Sequence, residues 1–306
     1  MLEGHNICVV IPAKNEQRFI KKVIETLPDF VDLIIVIDDQ SSDRTRIEAE
    51  NADSKIKKIV ADGLGKGVGS AIDMGYRIAI EQNQNQKFIA SVMAGDGQMN
   101  PLDLRGLIEP ILQDEAEHVK GNRFLSPSIT GMPIHRRIAS KILSFGTSLA
   151  AAQKINDSQC GFTATSSDIL RSWDWSRSWE GYGYPNYWII ECSRLGFRIS
   201  EVEVNAIYGD EVSGIKPTRF FFTALSILTR QHHKRAFFWL TKRPNLYSTT
   251  SFLFYLVGWA LIISPIFTSK LSGLQLIGLL SWYFAHLFDK AARKLIRKKK
   301  SGRTRI

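Results

Sequence analysis

Asp96 and Gln98, in the stretch Met93-Ala94-Gly95-Asp96-Gly97-Gln98-Met99-Asn100-Pro101, are the residues of this 306-residue chain best placed for chemistry. They offer two oxygen ligands, two positions apart, on one Gly-flanked turn. That pair suits a hard divalent cation, which prefers oxygen donors and keeps positions open for substrate phosphates. Taken alone, A-G-D-G is equally a polar turn. Its context argues for more. The apolar run Phe88–Val92 before it reads as a buried strand. A carboxylate at the carboxyl end of such a strand faces the crevice where open α/β sheets bind ligands.

Three further segments repeat that arrangement. Ile7–Ile11 is β-prone and is expected to stop at Pro12, which lacks a backbone donor. A polar turn, Ala13-Lys14-Asn15-Glu16, leads into an amphipathic stretch from Arg18 to Leu27. Leu33–Ile37 ends in Asp38-Asp39-Gln40-Ser41-Ser42-Asp43, a capping sequence for a helix, with Asp43 as the cap. Gly63-Leu64-Gly65-Lys66-Gly67-Val68-Gly69 opens a helical pattern that runs through Ile80. Strands alternating with helices predict an α/β fold with a mostly parallel sheet and a site along its carboxyl edge. Two common nucleotide motifs are absent. The first turn is not G-x-G-x-x-G, and Lys66 is followed by glycine, not the Ser or Thr of a P-loop.

The ordered set P-A-K-N-E, I-D-D-Q-S-S-D-R-T, G-L-G-K-G and G-D-G-Q-M-N-P resembles the family 2 glycosyltransferases of the GT-A fold, over roughly residues 5 to 216. It is most similar to the dolichyl-phosphate mannose synthases and bacterial polyprenyl-phosphate sugar transferases. The resemblance implies an inverting enzyme that takes a nucleotide-diphosphate sugar and uses Mg2+ or Mn2+. It places Asp96 and Gln98 on the metal, where the cation would stabilise charge building on the leaving diphosphate. It places Pro12, Lys14, Glu16, Ile37 and Asp39 in the nucleotide pocket, with Asp39 on base or ribose. Ala94, Gly95 and Lys66 join the donor site, and Lys216 resembles a lysine that closes over the donor. Glu16 could instead assist a helix cap.

On the acceptor side, Arg123 resembles an arginine near the phosphates. Arg136 or Arg137, in Met132-Pro133-Ile134-His135-Arg136-Arg137, resembles one that meets an acceptor phosphate. The competing reading is of surface arginines at a helix start. An arginine fork binds phosphate oxygens bidentately. A phosphate acceptor needs no strong base. A hydroxyl acceptor does, and Asp157 and Glu180 are the nearest candidates. The chain departs from the family pattern at Ala94, where a carboxylate is usual, and at Thr163 and Asp210, where arginines are expected.

Charge is divided unevenly. Residues 1–215 hold 23 Lys/Arg and 29 Asp/Glu, and residues 216–306 hold 17 Lys/Arg and one Asp. A basic tail suits either nucleic acid or an anionic membrane. Hydropathy favours the membrane. Thr249 to Phe267 is uncharged and about 19 residues long, near the ~20 that cross a bilayer. Gly273 to Phe288 is a second, shorter uncharged run. A buried pair of core helices is the competing reading, but no acidic residue occurs from 217 to 288. The expected organisation is a glycosyltransferase domain (1–216), an interfacial amphipathic segment (217–245) and a two-helix transmembrane hairpin with a basic tail (246–306). Arg230, Lys234, Arg235, Lys242 and Arg243 before the first span, and the basic run after the second, put the catalytic domain in the cytoplasm. No amino-terminal signal peptide is visible. Cys8, Cys160 and Cys192 read as reduced thiols. His232-His233 read as solvated interface histidines, since adjacent residues do not share a helix face. The expected partners are a nucleotide sugar, a lipid-linked acceptor and the membrane, with no nucleic acid. A homo-oligomer is compatible with this reading.

Overall fold

The computed structural model describes residues 1–207, 217–264 and 273–303. Within them, seven strands form one sheet: β1 (Asn6–Ala13), β2 (Leu33–Asp38), β3 (Lys57–Asp62), β4 (Phe88–Val92), β5 (His118–Asn122), β6 (Thr163–Ser166) and β7 (Ile199–Glu203). Their order is β3-β2-β1-β4-β6-β5-β7. β6 runs antiparallel to both its neighbours, β4 and β5, and the other pairings are parallel. β1, β2, β4 and β5 are buried almost throughout. Continuous burial follows from helices covering both faces of a parallel sheet.

One face carries α1 (Ile20–Glu25), α2 (Thr45–Asn51) and α4 (Leu104–Leu112), packed through Ile20, Val23, Ala49, Leu104 and Ile108. The other carries α3 (Val68–Gln82), α6 (Ser167–Ser172) and α7 (Tyr184–Leu195), built around Ile72, Tyr76, Ile169 and Trp188. Trp173 stacks on Trp188 with ring centroids 3.9 Å apart. α5 (Ile134–Ala151) and α8 (Pro217–Lys242) extend this second layer, and α8 contributes Ile227 and Leu228 to the same core.

Pro12 does not end its strand. It pairs with Ile37, and Ala13 pairs with Asp38. Pro12 lacks a donor, but its carbonyl still accepts from Gly95 N at 3.2 Å. That bond faces the chain just past β4, where the ladder has already ended.

Beyond α8 come α9 (Leu246–Ile263) and α10 (Leu274–Arg303). They pack closely at Gly258 and Gly278: a Cβ on Gly258 would lie 2.1 Å from Trp282 Cδ1. Small residues of this kind let two apolar helices approach. Outward, Leu253, Leu256, Leu276, Leu279 and Leu280 are exposed. Among the described residues α9 alone is long and apolar enough to cross a bilayer. The apolar part of α10 ends at Phe288. At ~1.5 Å per residue that is about 22 Å, short of a ~30 Å hydrocarbon core. Its second half then returns to the globular body, where Ala292 and Ile296 bury against Trp239 and Ala152. Arg293 Nε donates to Ser193 Oγ at 2.9 Å. The expectation of two spans therefore stands at one helix of spanning length and a shorter apolar partner.

The reading of His232 needs correction. It is half-buried, not simply solvated: its ring meets Tyr255 edge-on at 4.7 Å. Burial, with Arg235 nearby, pushes its pKa down to about 3. His233 is exposed and accepts from Trp259 Nε1 at 3.0 Å. The apolar face of α9 needs a partner, and α8 turns one histidine inward to supply it.

Candidate active site

The strand order reverses direction at β1/β4, which places the expected crevice at their carboxyl ends. Two sequence motifs meet there. The turn after β1 is stitched to the turn after β2 by Asn15 N to Ser41 Oγ (2.9 Å), Glu16 N to Thr45 Oγ1 (2.7 Å) and Ser42 N to Asn15 Oδ1 (2.8 Å). Asp43 is not the cap expected from sequence, since Arg44 holds the N-cap position without a side-chain bond; Asp43 instead accepts from Thr45 N at 2.9 Å and from Gln17 N. The Ser/Asp-rich sequence thus serves two loops at once. Pro12 and Ile37 lie buried beneath this platform, Glu16 is half-buried, and Lys14 is exposed above it.

Asp39 is buried, and its carboxylate accepts from Gly65 N at 2.8 Å and Gly67 N at 2.9 Å. It fixes the G-L-G-K-G loop. Lys66, exposed in that loop, pairs with Glu180 at 2.9 Å. Gly69 is required here for space, because a Cβ would fall 2.0 Å from the carbonyl oxygen of Trp179. Ser70 N donates to the Glu180 carbonyl at 3.0 Å. Glu180, a candidate base by sequence, is therefore exposed and salt-bridged in a loop that rests on the start of α3.

The turn after β4 holds Ala94, Gly95, Asp96 and Gln98. Gly95 N donates to Pro12 O, and Ala94 N to Met99 Sδ at 3.3 Å. Gly97 has φ +75°, and Asp96 Oδ1 accepts from Gln98 N at 3.0 Å. Among the described residues no group of three or more His, Cys, Asp or Glu is gathered for a metal. Ala94 supplies no ligand. A cation here would take one carboxylate and one amide oxygen from the chain, and the rest from water and phosphate. That donor set fits the Mg2+ mode of binding, with one or two carboxylates plus substrate oxygens.

Gln98 and Met99 share a cavity with Arg123, Cys160, Gly161, Phe162, Val204, Asn205 and Ala206. Arg123 sits at the end of β5 and is tied to Asp157: Nε to Oδ2 at 2.8 Å, Nη2 to Oδ1 at 2.9 Å, and backbone N to Oδ2 at 3.1 Å. Asp157 has no exposed side-chain surface. Burial pushes its pKa up, but the Arg123 hydrogen bonds and charge more than offset this and hold the carboxyl below its ordinary value. A carboxylate so engaged is a poor proton acceptor.

The arginines of α5 separate. Arg137 donates to Met132 O (2.8 Å) and Thr130 O (2.7 Å) of the loop before the helix. Arg136 is exposed on the first turn. Ile134, Ile138, Ile142 and Phe145 form an exposed apolar ridge along the same helix. Lys216 and Asp210 lie outside the described residues.

Sequence reasoning misses Lys120, Glu201 and Asn205. Lys120 is fully buried in β5, and its ammonium donates to Cys160 O. Glu201 accepts from Asn156 N, Asn156 Nδ2 and Asp157 N. Asn205 N donates to Asp103, and the Asn205 side chain accepts from Ser126 Oγ at 2.6 Å. A lysine amid His118-Val119-Lys120-Gly121-Asn122 gives no strand signal, and so no sign of a buried charge.

The neighbours of this chain agree with its geometry. Among solved structures, glucosyl-3-phosphoglycerate synthase from Mycobacterium tuberculosis, in complex with Mn2+, UDP and phosphoglyceric acid, superposes with a TM-score of 0.57, 22% identity, and coverage of 75% of this chain and 79% of that one. At that identity it supports the GT-A fold alone. A UDP-N-acetylglucosamine–dolichyl-phosphate N-acetylglucosaminyltransferase from Methanococcus voltae is 31% identical over 66% of this chain and 86% of its own length. A dolichol-phosphate mannosyltransferase from Pyrococcus furiosus is 27% identical over 54% of this chain and 47% of its own length. The model of Glycosyl transferase family 2 matches residues 8–173, which span β1, the Asp39 and Lys66 loops, the Asp96–Gln98 turn, Arg123 and Asp157. With a family match across more than half its length and the family's ordered motifs gathered at one sheet edge, the chain belongs to glycosyl transferase family 2.

Proposed function

We propose that this glycosyltransferase moves a sugar from a nucleotide-diphosphate sugar to the phosphate of a membrane polyprenyl lipid, with inversion at the anomeric carbon. One observation carries the acceptor: the Arg123 fork, fixed by buried Asp157, lines the same cavity as Gln98 of the candidate metal turn. A cationic group is thus set beside the place where a donor diphosphate would lie. An acceptor that brings its own anion suits that cavity. A hydroxyl acceptor would need a base, and Asp157 is held as an acceptor for N–H donors.

In this reading Pro12, Lys14, Glu16, Ile37 and Asp39 shape the nucleotide pocket. Ala94, Gly95 and Lys66 border the donor. Asp96 and Gln98 would hold Mg2+ or Mn2+, which when bound supplies positive charge at the departing diphosphate. Arg123 and Arg136 orient the lipid phosphate, while Arg137 shapes the loop that carries Arg136. A phosphate oxygen of the acceptor bonds to the anomeric carbon as the bond to the nucleoside diphosphate breaks, and no proton needs to leave.

α9 spans the bilayer with the apolar half of α10 beside it. The exposed Phe222, Leu225 and Phe237 of α8 and the ridge on α5 lie at its surface. The basic residues at both ends of the hairpin set the catalytic domain on the cytoplasmic side. The M. voltae relative suggests the first donor and acceptor to try. Full-length protein in detergent should convert UDP-N-acetylglucosamine and dolichyl phosphate, with Mn2+, to a glycolipid detectable by mass spectrometry. A panel of other UDP- and GDP-sugars follows if that donor is inert. Equal use of dolichol would overturn the phosphate-acceptor assignment, and activity undiminished by EDTA would overturn the metal.

A further inference from the structure

Beneath Arg123 lies a tier of charge that the motifs do not reveal. β5 and β7 are parallel neighbours, and their register sets Lys120 opposite Glu201. Opposed residues in a parallel pair project from the same face of the sheet. Glu201 holds the turn before Cys160 through Asn156 N (2.9 Å), Asn156 Nδ2 (2.7 Å) and Asp157 N (2.9 Å). Asp157 in turn grips Arg123 by its backbone N and by the Nε/Nη2 edge of its guanidinium. Lys120 Nζ donates to Cys160 O on the far side of the same turn. Lys120 and Asp157 are wholly buried.

We propose that Glu201 is a positioning residue for the transfer reaction: through the Asn156–Asp157 turn it sets where the Arg123 guanidinium stands in the cavity, with Lys120 holding the far side of that turn at Cys160 O. The geometry favours this over simple strand stabilisation. The Glu201 carboxylate accepts from the turn and leaves the β7 ladder to the backbone. Through Asp157 that turn reaches the charge of Arg123. Buried polar groups of this kind are costly to leave partly satisfied, so removing one acceptor displaces the chain above it. The idea rests on the reading of Arg123 as a phosphate contact, and the test separates the two.

The experiment uses the full chain in detergent, with Glu201→Gln, Arg123→Ala and the double variant. The amide keeps the shape but offers one oxygen in place of the two that serve three N–H donors. Hydrogen exchange over residues 121–125 and 156–158 reports position directly. Transfer from UDP-N-acetylglucosamine to dolichyl phosphate reports function, and calorimetry with UDP and Mn2+ reports the donor site. Glu201→Gln should speed exchange in both segments. It should raise the acceptor KM roughly 10- to 20-fold, at the low end for a charge-assisted hydrogen bond, with UDP affinity within about twofold. The double variant should be no worse in transfer than Arg123→Ala alone, because Glu201 acts through that arginine. Glu201→Asp, which keeps the charge on a shorter arm, should recover part of the loss. If Glu201→Gln does not fold, Asn156→Ala removes one of the three donors and should shift exchange and KM the same way by less.

Unchanged exchange at 121–125, or additive losses in the double variant, would overturn the proposal. If Arg123→Ala leaves transfer intact, the phosphate role of Arg123 fails. The exchange result then still decides whether Glu201 positions it.

Discussion

Replacing Asp157 with asparagine isolates the link between the fold and the acceptor cavity. The carboxylate accepts from Arg123 N, Nε and Nη2 and, at 3.3 Å, from Gln159 N, with no exposed surface. The amide would keep one oxygen and turn an NH2 toward a guanidinium that also only donates. Breaking one side of a buried ion pair costs about 3–5 kcal/mol. The retained oxygen offsets part of this, so Asp157→Asn should lose roughly 2–4 kcal/mol at pH 7. The pH dependence has a definite sign. The native pKa of Asp157 lies below its ordinary value. Its stabilisation is therefore complete above the unfolded value of about 3.9 and is lost as pH falls through the lower native value. Urea unfolding at pH 7 should separate the two proteins fully, and the gap should close progressively below about pH 4. Transfer to dolichyl phosphate should fall as Arg123 loosens, with UDP affinity nearly retained. A variant within about 0.5 kcal/mol of the parent at pH 7 would show that the ion pair does not hold the cavity. A variant of parental stability that has lost all turnover would instead identify Asp157 as the base for a hydroxyl acceptor.

Asp96→Asn should abolish metal-dependent donor turnover with the melting temperature unchanged, and Ala94→Asp should tighten Mn2+ binding by calorimetry. Arg136→Ala should raise the acceptor KM without altering stability, whereas Arg137→Ala should also lower stability, because it frees the Met132 and Thr130 carbonyls; equal behaviour of the two would contradict their separation. Asp73 is buried, and burial pushes its pKa up to about 7. The unfolded carboxyl ionises near 3.9, so its contribution favours folding less and less as pH rises from about 4 to 7. Asp73→Asn should therefore stabilise the protein at pH 8 and change little at pH 4, as read by thermal melts. Deleting residues 246–306 uncovers Trp239 and Ala152 and removes the Arg293–Ser193 bond. The truncated domain should melt several degrees lower, and an unchanged melting temperature would refute the docking of α10.

The half of the fold that carries the nucleotide motifs is legible because its strands are continuous apolar runs that stop in polar turns. Ile7–Ile11, Leu33–Ile37 and Phe88–Val92 all lie in strands, and the turns after them converge. Pro12 misleads only in extent, since a missing donor costs nothing where the neighbouring ladder has run out. The other half is opaque for a physical reason. β5 and β6 carry His118, Lys120, Asn122, Thr163 and Thr165, polar residues whose burial is justified only by partners distant in sequence, such as Thr165 beneath His118 and Cys160 beside Lys120. No local pattern announces those partners. The D-x-x-x-G-F segment marks Asp157, but its state as a locked carboxylate depends on Arg123, 34 residues away. His232 is opaque for the same reason, because Tyr255, on a different helix, decides its environment.

The return of α10 to the globular body changes what the carboxyl-terminal helices are. Arg235 and Asp289, both buried, join α8 to α10, and Ser251 and Tyr255 of α9 bond the same aspartate at 2.7 Å each. A tether would let the catalytic domain swing above the lipid like a buoy on a line. Three helices knotted at one aspartate, with the last screwed back into the domain by Arg293, form a rigid mount. On a mount, the height and tilt of the Arg123 cavity are properties of the fold. Under the proposed function, a lipid acceptor then has to travel to a fixed port, so lengthening the link between α8 and α9 should cost activity in proportion to the freedom it introduces, even with every residue of the cavity intact.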